Sequence, residues 1–278
     1  VFKIVWKESL TPVIDCLKVE APALAAKARA GQFVIIRVDE VGERIPLTLA
    51  DWDAHEGTIT LVAMRVGTST HKLGKLKSGD SLIDLVGPLG RPSEIEKYGN
   101  VVMVGGGVGI APIHPIARSL KNAGNRIISI IGARNRDLLF WEDKMQALSD
   151  ELIVTTDDGS YARKGVVTEP LKELLEKGGI NRVIAIGPAI MMKFCSATTR
   201  PYNVPTVVSL NAIMVDGTGM CGCCRLSVGG ETKFACVDGP EFNGHEVDWD
   251  ITLARQKIYL KEEKESLARW ESCQCGKS

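Results

Sequence analysis

Between residues 98 and 208 the chain repeats one pattern, a compact apolar run followed by a longer stretch with helical potential. The runs read VVMVGG, IISIIGA, LIVTTDD and VIAIGP. A continuous apolar run bounded by turns is what a strand covered on both faces requires, because neither of its side-chain rows meets water. Alternation of such runs with helical stretches predicts a doubly wound α/β domain with a parallel sheet over residues 98–210. Ahead of it, residues 1–97 carry short strand-like runs at 13–19, 32–38, 58–66 and 81–86, separated by Gly, Pro and Asp. That spacing suits an antiparallel β-barrel or sandwich. Behind it, residues 211–278 hold a glycine- and cysteine-rich loop at 216–239 and then a charged, helical tail, expected to dock on its own module. The fold class expected is multidomain, β plus α/β.

A chain of 278 residues with 45% hydrophobic content can bury a sizeable core. Its 34 Lys and Arg balance 34 Asp and Glu, so no overall field draws it to nucleic acid or to an anionic membrane. The segment VFKIVWKE places Lys3 and Lys7 where a secretory leader needs apolar residues. The richest apolar stretch, 101–117, is interrupted by glycines, prolines and His114, well short of the roughly eighteen apolar residues of a membrane span. A cytoplasmic location is the expectation, with proteins and small molecules as partners.

Eight cysteines in a chain this long do not read as a disulfide scaffold, and Cys221, Cys223, Cys224 and Cys236 crowd one segment. There the donors run Asp216, four residues, Cys221, two residues, Cys224, eleven residues, Cys236. Plant-type [2Fe-2S] loops use Cys, four, Cys, two, Cys and a distant Cys, so the spacing fits with Asp216 in the first ligand's place. Four anionic donors must arrive from a loop tight enough to wrap two irons, and Gly217, Gly219 and Gly222 supply the freedom. A carboxylate is anionic too, and an oxygen donor shifts the cluster potential away from the all-cysteine value. A four-sulfur zinc site is the competing reading, but neighbours Cys223 and Cys224 do not easily reach one tetrahedral ion together. Cys223 reads as the non-ligand, Cys16 and Cys195 as buried thiols, and Cys273 and Cys275 as incidental thiols of the terminus.

After the strand-like run at 101–104 comes GGGVGIAPIHPIARSLKNAG, a glycine turn leading into a helix. Such turns let backbone N–H groups approach a pyrophosphate. Gly105 and Gly107 fit the dinucleotide fingerprint, but Ile110 stands at its third glycine and no acid follows about twenty residues on. Alone, the turn equally suits close packing of helix on strand.

GVGIAP at 107–112 resembles a motif of the ferredoxin-NADP reductase superfamily, and the resemblance runs along the chain. In ERIPLTLAD, Pro46, Leu47 and Thr48 match the end of the family's flavin signature, with Arg44 one position ahead of the signature's arginine. VGTSTHKL at 66–73 is similar to its phosphate loop, and GPLG at 87–90 to the close of its barrel. GARNRDLLF at 132–140, TDDGS at 156–160 and GPAIMM at 187–192 resemble its ribose-side loop, an acidic turn near the nicotinamide and a late covering loop. The resemblance implies FAD held by Arg44, Pro46, Leu47, Thr48, Gly67, Ser69 and Thr70, with Thr48 bonding the isoalloxazine ring. It implies NAD(H) held by Gly107, Gly109, Ala111, Pro112, Arg134, Asp157, Gly187 and Met191. Thr48 as an ordinary strand residue, Arg134 as a solvated charge and Asp157 as a turn residue are the bland readings of the same positions.

The order of flavin barrel, nucleotide domain and C-terminal cluster loop resembles the electron-transfer subunits of dihydroorotate dehydrogenases. It is closer to the small subunits of NADH-dependent ferredoxin:NADP oxidoreductases, where Asp with three Cys is the expected ligand set. The implied function is an iron–sulfur flavoprotein subunit passing electrons between NAD(H), FAD and the cluster. It would form a heterodimer with a larger flavin and iron–sulfur subunit, meet ferredoxin indirectly, and serve electron bifurcation. Hydride transfer belongs to the cofactors, so no catalytic side chain is expected. A stand-alone NAD(P)H reductase and a metal-binding module that has lost its flavin are the rival readings.

Overall fold

The first half of the chain forms β1 (Phe2–Thr11), β2 (Ile14–Glu20), α1 (Pro22–Ala25), β3 (Phe33–Arg37), β4 (Ile45–Asp53), β5 (Thr58–Met64), α2 (Thr68–Lys75), β6 (Ser81–Leu82) and β7 (Asp84–Leu89). This computed structural model describes residues 1–275, with side-chain surroundings through Cys273. The strands make one antiparallel sheet in the order β6-β1-β2-β5-β4-β3-β7. Its two end strands follow one another in the chain, which leaves the sheet a nearly closed barrel around Ile4, Leu17, Ile36, Leu49, Ile59 and Leu61. Each fully buried aliphatic of this kind contributes about 1.5–3 kcal/mol. Pro46 sits in β4 without breaking the ladder. Residues 45–48 pair only with β3, and pairing with β5 begins at Leu49, so the missing N–H falls on an open edge.

The second unit alternates as expected: β8 (Asn100–Gly106), α3 (Ile110–Asn122), β9 (Arg126–Ala133), α4 (Glu142–Leu148), β10 (Glu151–Thr156), β11 (Arg163–Lys164), α5 (Thr168–Lys177), β12 (Arg182–Ile186), α6 (Ala189–Thr199) and β13 (Thr206–Ser209). The parallel order is β11-β10-β9-β8-β12-β13. Winding reverses between β8 and β12, and the carboxyl ends at such a switch point leave the crevice in which open α/β sheets bind ligands.

The remainder forms the hairpin β14 (Arg225–Val228) and β15 (Glu231–Phe234), then β16 (Glu241–Asn243), α7 (Trp249–Arg255) and α8 (Leu260–Cys275). β16 runs antiparallel to β13 and becomes the seventh strand of the nucleotide-type sheet. The expectation that the tail helix docks on its own module is not met. α8 lies on α2 of the barrel, where Thr68 and Ser266 share a 2.9 Å hydroxyl hydrogen bond and Trp270 meets the His71 ring at 5.5 Å. The Lys75 ammonium stands 4.4 Å from the Trp270 ring centroid. Ser266 and Trp270 are four residues apart, on one helix face, and that face matches α2 rather than the cysteine loop. Among the described residues no helix is long and apolar enough to cross a membrane.

Candidate functional site

The barrel meets the α/β unit where β4 packs on α3. Pro46, Leu47 and Thr48 lie half-buried on β4, opposite Ile35, Val34 and Phe33. Asp51 on the same strand pairs with Arg118 of α3 at 2.7 Å, and that guanidinium also faces the Trp52 ring. The flavin-signature strand is therefore held against the helix that follows the glycine turn. His114 of α3 is buried with no hydrogen-bond partner for Nδ1; burial holds its pKa below the ordinary histidine value.

The start of α2 is built to leave amides open. Gly67 is extended, and nothing lies within 4 Å of where its Cβ would stand. The Thr70 hydroxyl accepts from the Val66 and Gly67 amides at 3.0 and 3.1 Å and donates to the Gly67 carbonyl, so it caps the helix. Ser69 donates to Glu43 at 3.1 Å. The first-turn amides of residues 68–70 lack intrahelical acceptors by helix geometry and can face an anion. At the other end, Lys7 Nζ donates to the Gly74 and Leu76 carbonyls at 2.5 and 2.6 Å, fixing the helix to β1.

In the glycine turn the glycines divide into two kinds. A Cβ on Gly109 would strike the Ile186 carbonyl and one on Gly106 the Met191 sulfur, so these serve close packing. Gly107 has φ +54° and nothing within 4 Å of a would-be Cβ, the open space a bound group needs. Ala111 is buried and Pro112 half-buried in the first turn of α3. Gly187 and Met191 close over the turn from the β12–α6 corner. Arg134 and Asp157 are exposed at the adjoining ends of β9 and β10, where the Asp158 amide donates to the Arg134 carbonyl at 3.1 Å. Asn135, which sequence reasoning passed over, buries an Oδ1 without a partner among the described residues.

The cysteine loop stands on the barrel. A Cβ on Gly217 (φ +78°) would meet Leu89 of β7 and Ile35 of β3, and Arg91 binds the Gly239 carbonyl through its amide at 2.7 Å and that of Val237 through Nε at 3.2 Å. Arg44, matched to a flavin-phosphate role, donates through Nε to the Val215 carbonyl at 2.8 Å. Asp216 accepts from the Thr218 amide at 2.9 Å and the Cys221 amide at 2.8 Å. These bonds, the Thr218 one foremost, hold its carboxyl below the usual range.

Among the described residues no three His, Cys, Asp or Glu side chains converge as ligands of one metal ion. The donors fall instead into two pairs. The Cys221 amide donates to the Asp216 carboxylate at 2.8 Å, and Cys224 and Cys236 place their sulfurs 3.2 Å apart, both buried. Two sulfurs on one tetrahedral ion stand about 3.7 Å apart for bonds of about 2.3 Å, so the buried pair is close to a two-ligand bite. Two pairs match a binuclear cluster, which takes two protein donors per iron, better than a zinc tetrahedron. Backbone N–H groups of Cys223 and Asp216 lower the Cys221 pKa. Burial, with Cys224 alongside, pushes Cys236 up to about 12, a cost that metal binding offsets because the ligand is a thiolate. The donor set fits a [2Fe-2S] group.

Residues 211–248 match the family described as the iron–sulfur cluster binding domain of dihydroorotate dehydrogenase B. Residues 103–197 match the oxidoreductase NAD-binding domain. A Thermotoga maritima protein named as a homologue of the dihydroorotate dehydrogenase B (NAD(+)) electron transfer subunit is 52% identical, over 96% of this chain and 95% of its own. The chain belongs to that electron-transfer subunit family. A solved chain of the NADH-dependent reduced ferredoxin-NADP oxidoreductase, described for flavin-based electron bifurcation, superposes with a TM-score of 0.92. It is 51% identical and covers 97% of this chain and 98% of that one. A Neisseria gonorrhoeae ferredoxin NADP+ reductase with bound FAD and NADP, 20% identical, covers 73% of this chain and 90% of its own with a TM-score of 0.61, a likeness of fold alone.

This member of the electron-transfer subunit family is thus an oxidoreductase chain with NAD-binding and iron–sulfur-binding domains. Arg255 was not legible in the sequence as part of the site. It comes from α7, and its guanidinium donates to the Cys223 carbonyl at 3.0 Å. Only the fold brings a residue thirty-one positions after Cys224 to the loop.

Proposed function

We propose that this chain is the smaller subunit of a heterodimeric, NADH-dependent ferredoxin:NADP oxidoreductase, moving electrons between NAD(H), FAD and a [2Fe-2S] cluster. The observation that carries the reading is the buried Cys224–Cys236 sulfur pair beside the Cys221 amide held on Asp216, on a loop packed against the barrel that holds the flavin signature. Likeness at 51% identity to the bifurcating oxidoreductase chain supports it. Residues 1–97, 98–210 and 211–278 then serve as flavin, nucleotide and cluster units, and a larger flavin and iron–sulfur subunit takes up the electrons.

Bound flavin supplies the conversion between a hydride and single electrons, and a bound cluster supplies single-electron storage. The chain's own residues position these groups. The open amides at the start of α2 and the Gly67 clearance suit the FAD pyrophosphate, and Thr48 suits the ring. The Gly107 clearance suits the nicotinamide nucleotide's phosphates, with Met191 closing over the turn. Asp216 orients the Thr218 and Cys221 amides, and burial of Cys224 and Cys236 would keep water off an iron held by their thiolates.

Anaerobic titration of the purified protein with NADH and with NADPH, followed by flavin and cluster absorption, tests the proposal. NADH is expected to bleach both chromophores in material carrying iron and labile sulfide in equal amounts. Protein without iron and sulfide, or a cluster that no nicotinamide reduces, would sink it.

A further inference from the structure

Several backbone groups of the cysteine loop are held by named partners. Amides point to the donors, those of Thr218 and Cys221 to Asp216 at 2.9 and 2.8 Å and that of Cys236 to the Cys224 sulfur at 3.5 Å. Three carbonyls of the loop end on guanidinium groups. Arg44 donates to Val215 O at 2.8 Å, Arg225 to Gly222 O at 3.2 Å and Arg255 to Cys223 O at 3.0 Å. Charge-assisted bonds of this kind polarise the peptide and strengthen the dipole that its amide presents on the other side.

The three arginines are not equivalent. Arg225 is exposed and Arg255 half-buried, so water and salt screen the first more than the second. Arg255 also arrives on a rigid support. The start of α7 is capped by Asp248, which accepts from the Ile251 amide at 3.0 Å and whose own amide donates to Ser227 O at 2.9 Å. Trp249 Nε1 donates to Gly244 O at 3.1 Å. Beyond its last residue, Gln256 Nε2 donates to Asn211 O at 3.0 Å, on the strand-end segment that leads into the loop.

From this geometry we infer that Arg255 is a positioning residue that sets the reduction potential of the cluster, its fixed charge stabilising the added electron from beside the peptide that joins Cys223 to Cys224. The inference rests on the cluster reading above and goes beyond it by giving a role to a residue that is neither a ligand nor part of a cofactor motif. Reduction adds one negative charge to the cluster. A fixed cation one peptide away favours the reduced form, and opposes the pull of the electron-rich Asp216 oxygen.

The test is a redox titration of the whole protein, reading cluster and flavin midpoints separately by optical and paramagnetic signals. Arg255→Gln is expected to make the cluster about tenfold harder to reduce, ~59 mV for one electron, with the flavin midpoint unmoved. Arg255→Lys keeps the charge and is expected to recover most of the shift. The Arg255→Gln shift should also persist at high salt. Arg225→Gln, a surface change that leaves α7 intact, should move the midpoint the same way by less, and lose its effect as salt is raised. An iron-replete Arg255→Gln with an unchanged midpoint overturns the inference, as does an Arg255→Lys shift equal to that of Arg255→Gln. If Arg255→Gln sheds its iron, Arg255→Lys decides: a midpoint moved by the full tenfold although the charge is kept overturns the inference. Wild-type protein without iron and sulfide fails earlier, at the cluster reading itself.

Discussion

Glu241 is the side chain whose ionisation bears most directly on how the units are joined. It lies on β16, where Ser93 of the segment between barrel and α/β unit donates to its Oε1 at 2.5 Å. Desolvation in the seam raises its pKa above 4.5, against the Ser93 bond and the Arg182 charge, which act the other way. Arg182 is itself shared, bonding Glu94 at 2.8 Å and lying 4.2 Å from the Tyr98 ring centroid. A carboxyl with a raised folded-state pKa favours folding while protonated. Its contribution is complete below the unfolded value and is lost as pH rises through the folded one. Glu241→Gln keeps the acceptor and stays neutral. Its melting temperature should match the wild type near pH 4.5 and exceed it by pH 8, by on the order of a few degrees. Thermal unfolding by circular dichroism at steps between those values checks this; a gap independent of pH would show that Glu241 is not the titrating group.

At the scale of elements, α8 bears on the flavin-side helix rather than on the cysteine loop. Trp270 packs on His71 and Lys75 one to two turns behind the open amides of α2. Such aromatic and cation–π contacts contribute about 0.5–1.5 kcal/mol each. Trp270→Ala should therefore loosen α2 and raise the FAD dissociation constant about three- to tenfold, read by recovery of flavin fluorescence, while cluster absorption stays unchanged. Equal flavin retention in variant and wild type would leave α8 a passive cover. The strands of the α/β unit were legible because apolar runs such as IISIIGA have one stable use, inside a covered sheet. β4 was not legible as a strand, since Pro46 signals an interruption until it is known that residues 45–48 have one pairing neighbour. β16 was equally hidden: three residues, Glu241–Asn243, carry no periodicity, and only the partner β13 makes them a strand. Thr70 shows the same limit within the site, because a hydroxyl after a glycine fits a phosphate grip and a helix cap alike, and the structure uses it for the cap.

Across the whole molecule, the cysteine loop is a plug in a shared core rather than an appendage. One apolar cluster joins Phe33 and Ile35 of the barrel, Val102, Val104 and Val208 of the α/β sheet, and Met214, Cys224 and Cys236 of the loop. β16 then ties the loop's far end to one sheet and α8 ties the chain end to the other. Burial weighs against the charged form of the Cys236 thiol. With iron bound, ligation free energy adds to the folded state only, since the donors are dispersed in the unfolded chain. Because the loop shares its core with both other units, that gain should be felt by all three. Calorimetry of the protein before and after anaerobic chelation of its iron should give one main transition that moves to lower temperature as a whole, by several degrees or more on the scale of a few kcal/mol. Two transitions, with only a minor one responding to the chelator, would mean that barrel and α/β unit fold independently of the loop, and that the shared core does not couple them.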